Sequence, residues 1–176
     1  MTTILFWNLN RKPLERIVAD LASEHEVDVV ILCESPVKTR TLLRALNQGH
    51  GDRFYQPFSL CEKVSLYTRF SRKFSQAEFE TGRLSIQRIK LPARIEILLV
   101  AVHFPSKLHF SEQSQSLESV ELAASVRRIE EKVGHSRTVL VGDLNMNPFE
   151  SGVTAASGLH AVMSKDVALR KTRIVQ

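Results

Sequence analysis

An unbroken apolar run, VVILC at residues 29–33, constrains this chain more than any other feature. A strand with one solvated face alternates apolar and polar residues; a strand without alternation is covered on both faces. The flanking segments supply covering helices. Residues 12–25, KPLERIVADLASEH, space Leu14, Ile17, Val18 and Leu21 as a helix does, with Pro13 suited to its first turn. Residues 36–47 return to that spacing through Leu42, Leu43 and Leu46, and the glycines of NQGHGD close the helix. Residues 4–9 form a short apolar strand ahead of both.

Beyond residue 53 the pattern changes. FYQPFSL, KVSLYTRF, KFSQAEFE, LSIQRIKL and IEILLVAVHF are β-rich segments parted by polar turns such as SRK, TGR and PAR, which predicts a run of antiparallel strands between two α/β ends. Residues 112–133 predict a long amphipathic helix, with Leu117, Val120 and Ala124 on one stripe and Leu122, Val126, Ile129 and Val133 widening it. A strand at 138–141 stops at Gly142, and a weaker helical segment spans 149–156. With no internal repeat or low-complexity linker, residues 1–176 are expected to form a single domain, burying roughly 70% of the surface of the unfolded chain.

Composition narrows the class. With 43% hydrophobic and 24% charged residues, the chain is neither disordered nor fibrous. Its two cysteines, Cys33 and Cys61, are too few for a disulfide framework or a four-ligand zinc site, and Cys33 inside an apolar run predicts a buried thiol in a reducing compartment. The start, MTTILFWNLNRK, lacks the pattern of a signal peptide or membrane span, so the expected location is cytoplasmic. A net charge of +5 favours an anionic partner, nucleic acid or another phosphate ester, but is equally the charge of a solvated basic surface.

Four apolar runs finish alike. Asn8 and Asn10 end the first, Glu34 ends VVILC, His103 ends IEILLVAV, and Asp143 and Asn145 end TVLV in the stretch VGDLNMNP. In open α/β sheets ligands bind beyond the carboxyl ends of strands, where residues scattered in sequence converge. Each residue also has an ordinary reading. Asn10 is placed to cap a helix, Glu34 to be a solvated loop carboxylate, His103 to be a hydrogen-bonded buried histidine, and Asp143 and Asn147 to form a turn. Their shared placement favours a site.

FWNLN, ILCES, VHFPSK and VGDLNMNP, in that order between residues 4 and 148, resemble the successive motifs of the endonuclease/exonuclease/phosphatase family of metal-dependent phosphodiesterases. The resemblance implies a four-layer αββα sandwich, two packed mixed sheets with helices outside. It implies Glu34 as the principal ligand of Mg²⁺, or Mn²⁺ in its place, with Asn10 in the metal shell. Asp143 would deprotonate the attacking water, Asn145 and Asn8 would hold the phosphoryl group or the metal shell, and His103 would add positive charge. Arg69, in SLYTRF, is a further candidate for a phosphate contact, with a surface arginine as the alternative. Extra negative charge on phosphate oxygens in the transition state is why a hard cation and fixed donors belong together here.

The family's motifs run on to a Ser-Asp-His sequence, and no Asp-His pair occurs in these 176 residues; His160, in SGLHAV, has the wrong context to replace it. The expectation is a nuclease-like phosphodiester hydrolase whose C-terminal portion is missing, a fragment in preference to a naturally short inactive chain or a half-site completed by another chain. Uncovered sheet edges then predict self-association. The alternatives are a phosphatase or lipid phosphodiesterase on the same scaffold and a catalytically silent module that binds phosphate or nucleic acid.

Overall fold

A computed structural model describes residues 2–48, 53–91, 95–108 and 110–169. The glycines expected to close the second helix and the PAR turn lie outside the described residues. The elements are β1 (Ile4–Asn8), α1 (Glu15–Glu24), β2 (Val29–Cys33), α2 (Thr39–Leu46), β3 (Val64–Thr68), β4 (Ser75–Glu80), β5 (Leu84–Lys90), β6 (Glu96–His103), α3 (Glu112–Val133), β7 (Thr138–Asp143), α4 (Ser151–Thr154) and α5 (Lys165–Ala168). They divide into two compact units, one of residues 1–103 and 129–144, the other of 104–128 and 145–176.

The first unit is a two-sheet sandwich. One sheet has the order β1-β2-β3 and the other β4-β5-β6-β7. As the apolar run requires, every residue of β2 is buried, and its alternate side chains enter two different cores. Val30 and Leu32 join Val18, Ala22, Leu42 and Leu46 beneath α1 and α2. Val29, Ile31 and Cys33 face the other way and meet Ile89, Leu99 and Ala101 of the second sheet. Each fully buried aliphatic side chain contributes about 1.5–3 kcal/mol, so this central strand anchors both layers. On the outside of the second sheet Lys132, in the last turn of α3, bonds Glu78 Oε2 at 2.6 Å, and Thr138 Oγ1 donates to Glu130 at 2.5 Å. The layers run helix, sheet, sheet, helix.

The antiparallel run expected across residues 54–103 is divided between the sheets. β3 pairs with β2, while β4, β5 and β6 pair consecutively. FYQPFSL is not a strand: apart from a single bridge between Tyr55 and Thr68, its polar groups turn to Glu80, which accepts Ser59 Oγ and the Leu60 N–H at 2.6 Å each. Gly142 does not stop β7 but lies within it, opposite Val102 of β6. A β-carbon there would sit 2.1 Å from the Val102 carbonyl oxygen, so glycine permits the close approach that lets pairing continue to Asp143.

In the second unit, residues 112–128 of α3 bury a stripe that hydrophobic spacing does not reveal. Gln115 and Ser119 are wholly buried with Leu122, while Leu117 is 64% exposed. The reason is polar: Gln115 Nε2 donates to the carbonyls of Pro105 and Asn145, at 2.9 and 3.1 Å. The segment expected to be helical at 149–156 shortens to α4, and α5 was not expected.

Candidate active site

Strand direction decides which residues meet. β1 runs parallel to β2 with Asn8 opposite Cys33, and β6 runs parallel to β7 with His103 opposite Asp143. All four therefore deliver their last residues to one end of the sandwich. Asn8 joins the two sheets: its Nδ2 donates to Asp143 Oδ2 at 2.8 Å and faces Glu34 Oε1 at 3.4 Å. Its Oδ1 accepts the Asn10 N–H at 2.9 Å, which fixes the amide's orientation with its nitrogen toward the carboxylates. An aspartate at this position would instead add a third negative charge.

His103 lies beside the same carboxylate. Its Nε2 is 3.4 Å from Glu34 Oε1, its side chain is 8% exposed, and its Nδ1 is buried without a hydrogen-bond partner among the described residues. Arg11 Nε stands 4.0 Å from Glu34 Oε2, from a side chain 87% exposed, so solvent weakens that attraction. Cys33 packs behind: burial, and then the nearby Asp143 charge, push its thiol up to about 12. It stays a neutral, inert thiol.

The backbone at these ends is strained. Asn10, Arg11, Glu34 and Asn145 have φ of 46°, 58°, 49° and 50°, in the left-handed region that costs a residue with a β-carbon about 1–2 kcal/mol. Two backbone bonds hold the β1 and β2 exits together, Leu9 N–H to Cys33 O at 2.9 Å and Arg11 N–H to Glu34 O at 3.0 Å. Such conformations persist where surrounding structure enforces them, commonly at functional sites.

The oxygens gathered here suit a hard divalent cation. Among the described residues Glu34 is held by long contacts of 3.4 to 4.0 Å, so its oxygens retain capacity for a ligand. Among the described residues no three His, Cys, Asp or Glu side chains form a metal cage. A cation here would draw most ligands from water and substrate, as Mg²⁺ does and a structural zinc does not.

One expected residue stands elsewhere. β3 is antiparallel to β2, so Arg69 follows Thr68 at the opposite end, where its N–H bonds Asp28 O at 2.9 Å. Six residues of strand, about 20 Å, separate that end from Glu34. The Arg69 guanidinium lies 5.3 Å from the centre of the Phe54 ring. Asn145 belongs to the second unit, where its Nδ2 donates to Phe104 O at 2.8 Å. Asn10 is exposed, and its backbone takes part through Asn8.

Sequence reasoning missed Arg83. The turn between β4 and β5 lies at the same end as His103, because β5 runs against β6; the His103 N–H bonds Arg83 O at 2.9 Å, and Arg83 Nη1 reaches His103 O at 3.5 Å. The TGR turn was visible in the sequence, but the end of the sheet to which it belonged was not.

Two mixed sheets, helices on both outer faces and polar residues at the ends of two parallel strand pairs, one in each sheet, are the endonuclease/exonuclease/phosphatase fold. Among solved structures, a truncated Caenorhabditis elegans TDP2 is similar to this chain at 18% identity and a TM-score of 0.62, over 85% of this chain and 64% of that one. An endonuclease/exonuclease/phosphatase family protein from Leptotrichia buccalis matches at 16% and 0.56, over 84% and 67%. A D. rerio TDP2 complexed with a single-strand DNA product matches at 15% and 0.54, over 85% and 63%. The chain thus spans about two thirds of the length of these structures. No protein-family model and no curated protein matches its sequence. Among the described residues no helix is long and apolar enough to cross a membrane.

Proposed function

We propose that this chain carries the site of a divalent-metal-dependent phosphodiester hydrolase acting on nucleic acid. The observation that carries the reading is the Asn8 amide, which donates 2.8 Å to Asp143 on one sheet while facing Glu34 on the other. Glu34, with Asn10 beside it, would hold Mg²⁺ or Mn²⁺, and the bound ion would neutralise charge on the phosphate oxygens.

The chain's own groups have separable tasks. Asp143, aimed by Asn8, accepts a proton from water as the water's oxygen forms the new bond to phosphorus. The bond from phosphorus to the leaving oxygen breaks, and that oxygen takes a proton from solvent. Both Asn8 Nδ2 hydrogens face carboxylates, which makes Asn8 a positioning residue. His103, whose Nε2 lies 3.4 Å from Glu34 Oε1, would serve as a hydrogen-bond donor beside the metal-holding carboxylate.

The likeness to a fold relative complexed with DNA supports nucleic acid over a lipid or monoester substrate, while the net charge of +5 suits any anionic phosphate ester. The test is hydrolysis of single-stranded DNA, RNA and phospholipid head-group substrates with Mg²⁺ or with EDTA. The expected result is Mg²⁺-dependent cleavage of nucleic acid, reduced roughly 10²–10⁴-fold by Asp143→Asn. Metal-independent cleavage, or a wild-type rate in that variant, contradicts the proposal. Nucleic-acid binding without cleavage would assign the chain to the silent binding class.

A further inference from the structure

A groove of about 390 Å³ runs beside β4, lined by Gln56, Phe58, Ser59, Arg72 and Ser75 among others. Its wall is an irregular segment that is nonetheless firmly anchored. Glu80 accepts Ser59 Oγ, Leu60 N–H and Ser85 Oγ at 2.6 Å each and Gln87 Nε2 at 3.1 Å. Lys63 N–H bonds Gly82 O at 3.0 Å, and Pro57 is buried. Yet between these anchors Phe58 is 75% exposed and Leu60 70%. A large ring held in water by a fixed backbone is an available stacking surface.

The charge is complementary to one ligand class. Among the described residues the groove's lining carries one cation, Arg72, and no carboxylate. The neighbouring Glu80 is saturated by four donors. β4 and β6 both run against β5, so β4 points from the groove toward the end where His103 lies. Arg83 stands there, in the turn that follows β4. Six residues of strand, about 20 Å, separate Ser75 from that rim, a span that a few nucleotides of an extended single strand cover.

We propose that this groove is a subsite for single-stranded nucleic acid, with a base on the Phe58 ring, a phosphate on Arg72 and an intervening phosphate on Arg83. The inference rests on the hydrolase reading for the strand's direction, but it is tested by binding alone. Fluorescence anisotropy with a labelled ten-nucleotide DNA strand, in EDTA so that no cleavage intrudes, compares wild type with Phe58→Ala, Phe58→Trp and Arg72→Ala. An abasic strand of equal charge is the control.

Phe58→Ala is expected to weaken the base-bearing strand roughly 5- to 100-fold and to leave the abasic strand unaffected, with Phe58→Trp restoring binding. Arg72→Ala is expected to weaken both strands and to lower the salt dependence of binding. Equal binding by wild type and Phe58→Ala, or equal losses on both strands, overturns the subsite. So does self-association abolished by Phe58→Ala without strand binding, which assigns the groove to a second copy of this chain. A wild-type protein that binds as expected but hydrolyses nothing would keep the subsite and remove only the catalytic reading.

Discussion

Asn8 has a task that neither Asp nor Ala performs. Its nitrogen serves two carboxylates while its oxygen is occupied by the Asn10 N–H, so the side chain has no spare orientation. Asn8→Asp keeps the volume but brings a third carboxylate against Glu34 and Asp143. Loss of a preorganised donor costs roughly 10²–10³-fold in rate, and steady-state hydrolysis of a nucleic-acid substrate should show a fall of that order in kcat. A change confined to KM would move Asn8 from positioning Asp143 to binding substrate. Asn8, Glu34, His103 and Asp143 were legible because each closes an apolar run, and runs that close alike in parallel strands meet. Arg69 has the same sequence signature on an antiparallel strand, and strand direction has no local mark. Arg83 was hidden for the complementary reason: it begins an antiparallel strand and so shares the rim with residues that end parallel ones.

At the scale of elements, β7 depends on the absence of a side chain. Gly142→Ala drives a β-carbon into the Val102 carbonyl, which cannot yield without parting β7 from β6. Overpacking of this kind costs about 1–3 kcal/mol, to be read from the urea unfolding midpoint, and the displaced Asp143 should lower activity as well. An unchanged midpoint would refute the close approach. The loop before α4 has a different support: Glu150 accepts the Asn147 N–H at 3.0 Å and pairs with Lys107, whose hydrogen bond lowers its carboxyl pKa below 4.5. Because the folded-state pKa is depressed, the pair's contribution is present above pH 4.5 and lost as pH falls through the lowered value. Thermal unfolding between pH 3 and 6 should therefore show a smaller acid loss in Glu150→Gln than in wild type. The bounds of α3 and part of its buried face, Leu122 and Ile129, were readable from its sequence, but Gln115 and Ser119 were not. Gln115 and Ser119 are inside for their hydrogen bonds, and apolar periodicity is blind to such a stripe.

Across the whole molecule, one buried strand organises the sandwich and two parallel strand pairs, one in each sheet, bring the site to one end. The double-faced burial of β2 followed from its unbroken apolar run, but the division of the middle strands between sheets did not, because alternation records which face is buried and never which strand is the neighbour. β1 and β7 each stand at the edge of their sheet, and Val139 and Leu140 on β7 are each 37% exposed. This is the place to test the expected self-association: sedimentation velocity should show concentration-dependent association that Leu140→Lys suppresses, and a monomer at all concentrations would dismiss it.

Central to the account is that Glu34 and Asp143, from different sheets, act within one reaction. The direct measurement is a double-mutant cycle on kcat with Mg²⁺, comparing Glu34→Gln, Asp143→Asn and the pair. If both serve one transition state, each single change removes most of the rate and the double variant is scarcely slower than the worse single one. Fully additive losses, or a single variant that hydrolyses at the wild-type rate, would contradict a shared site.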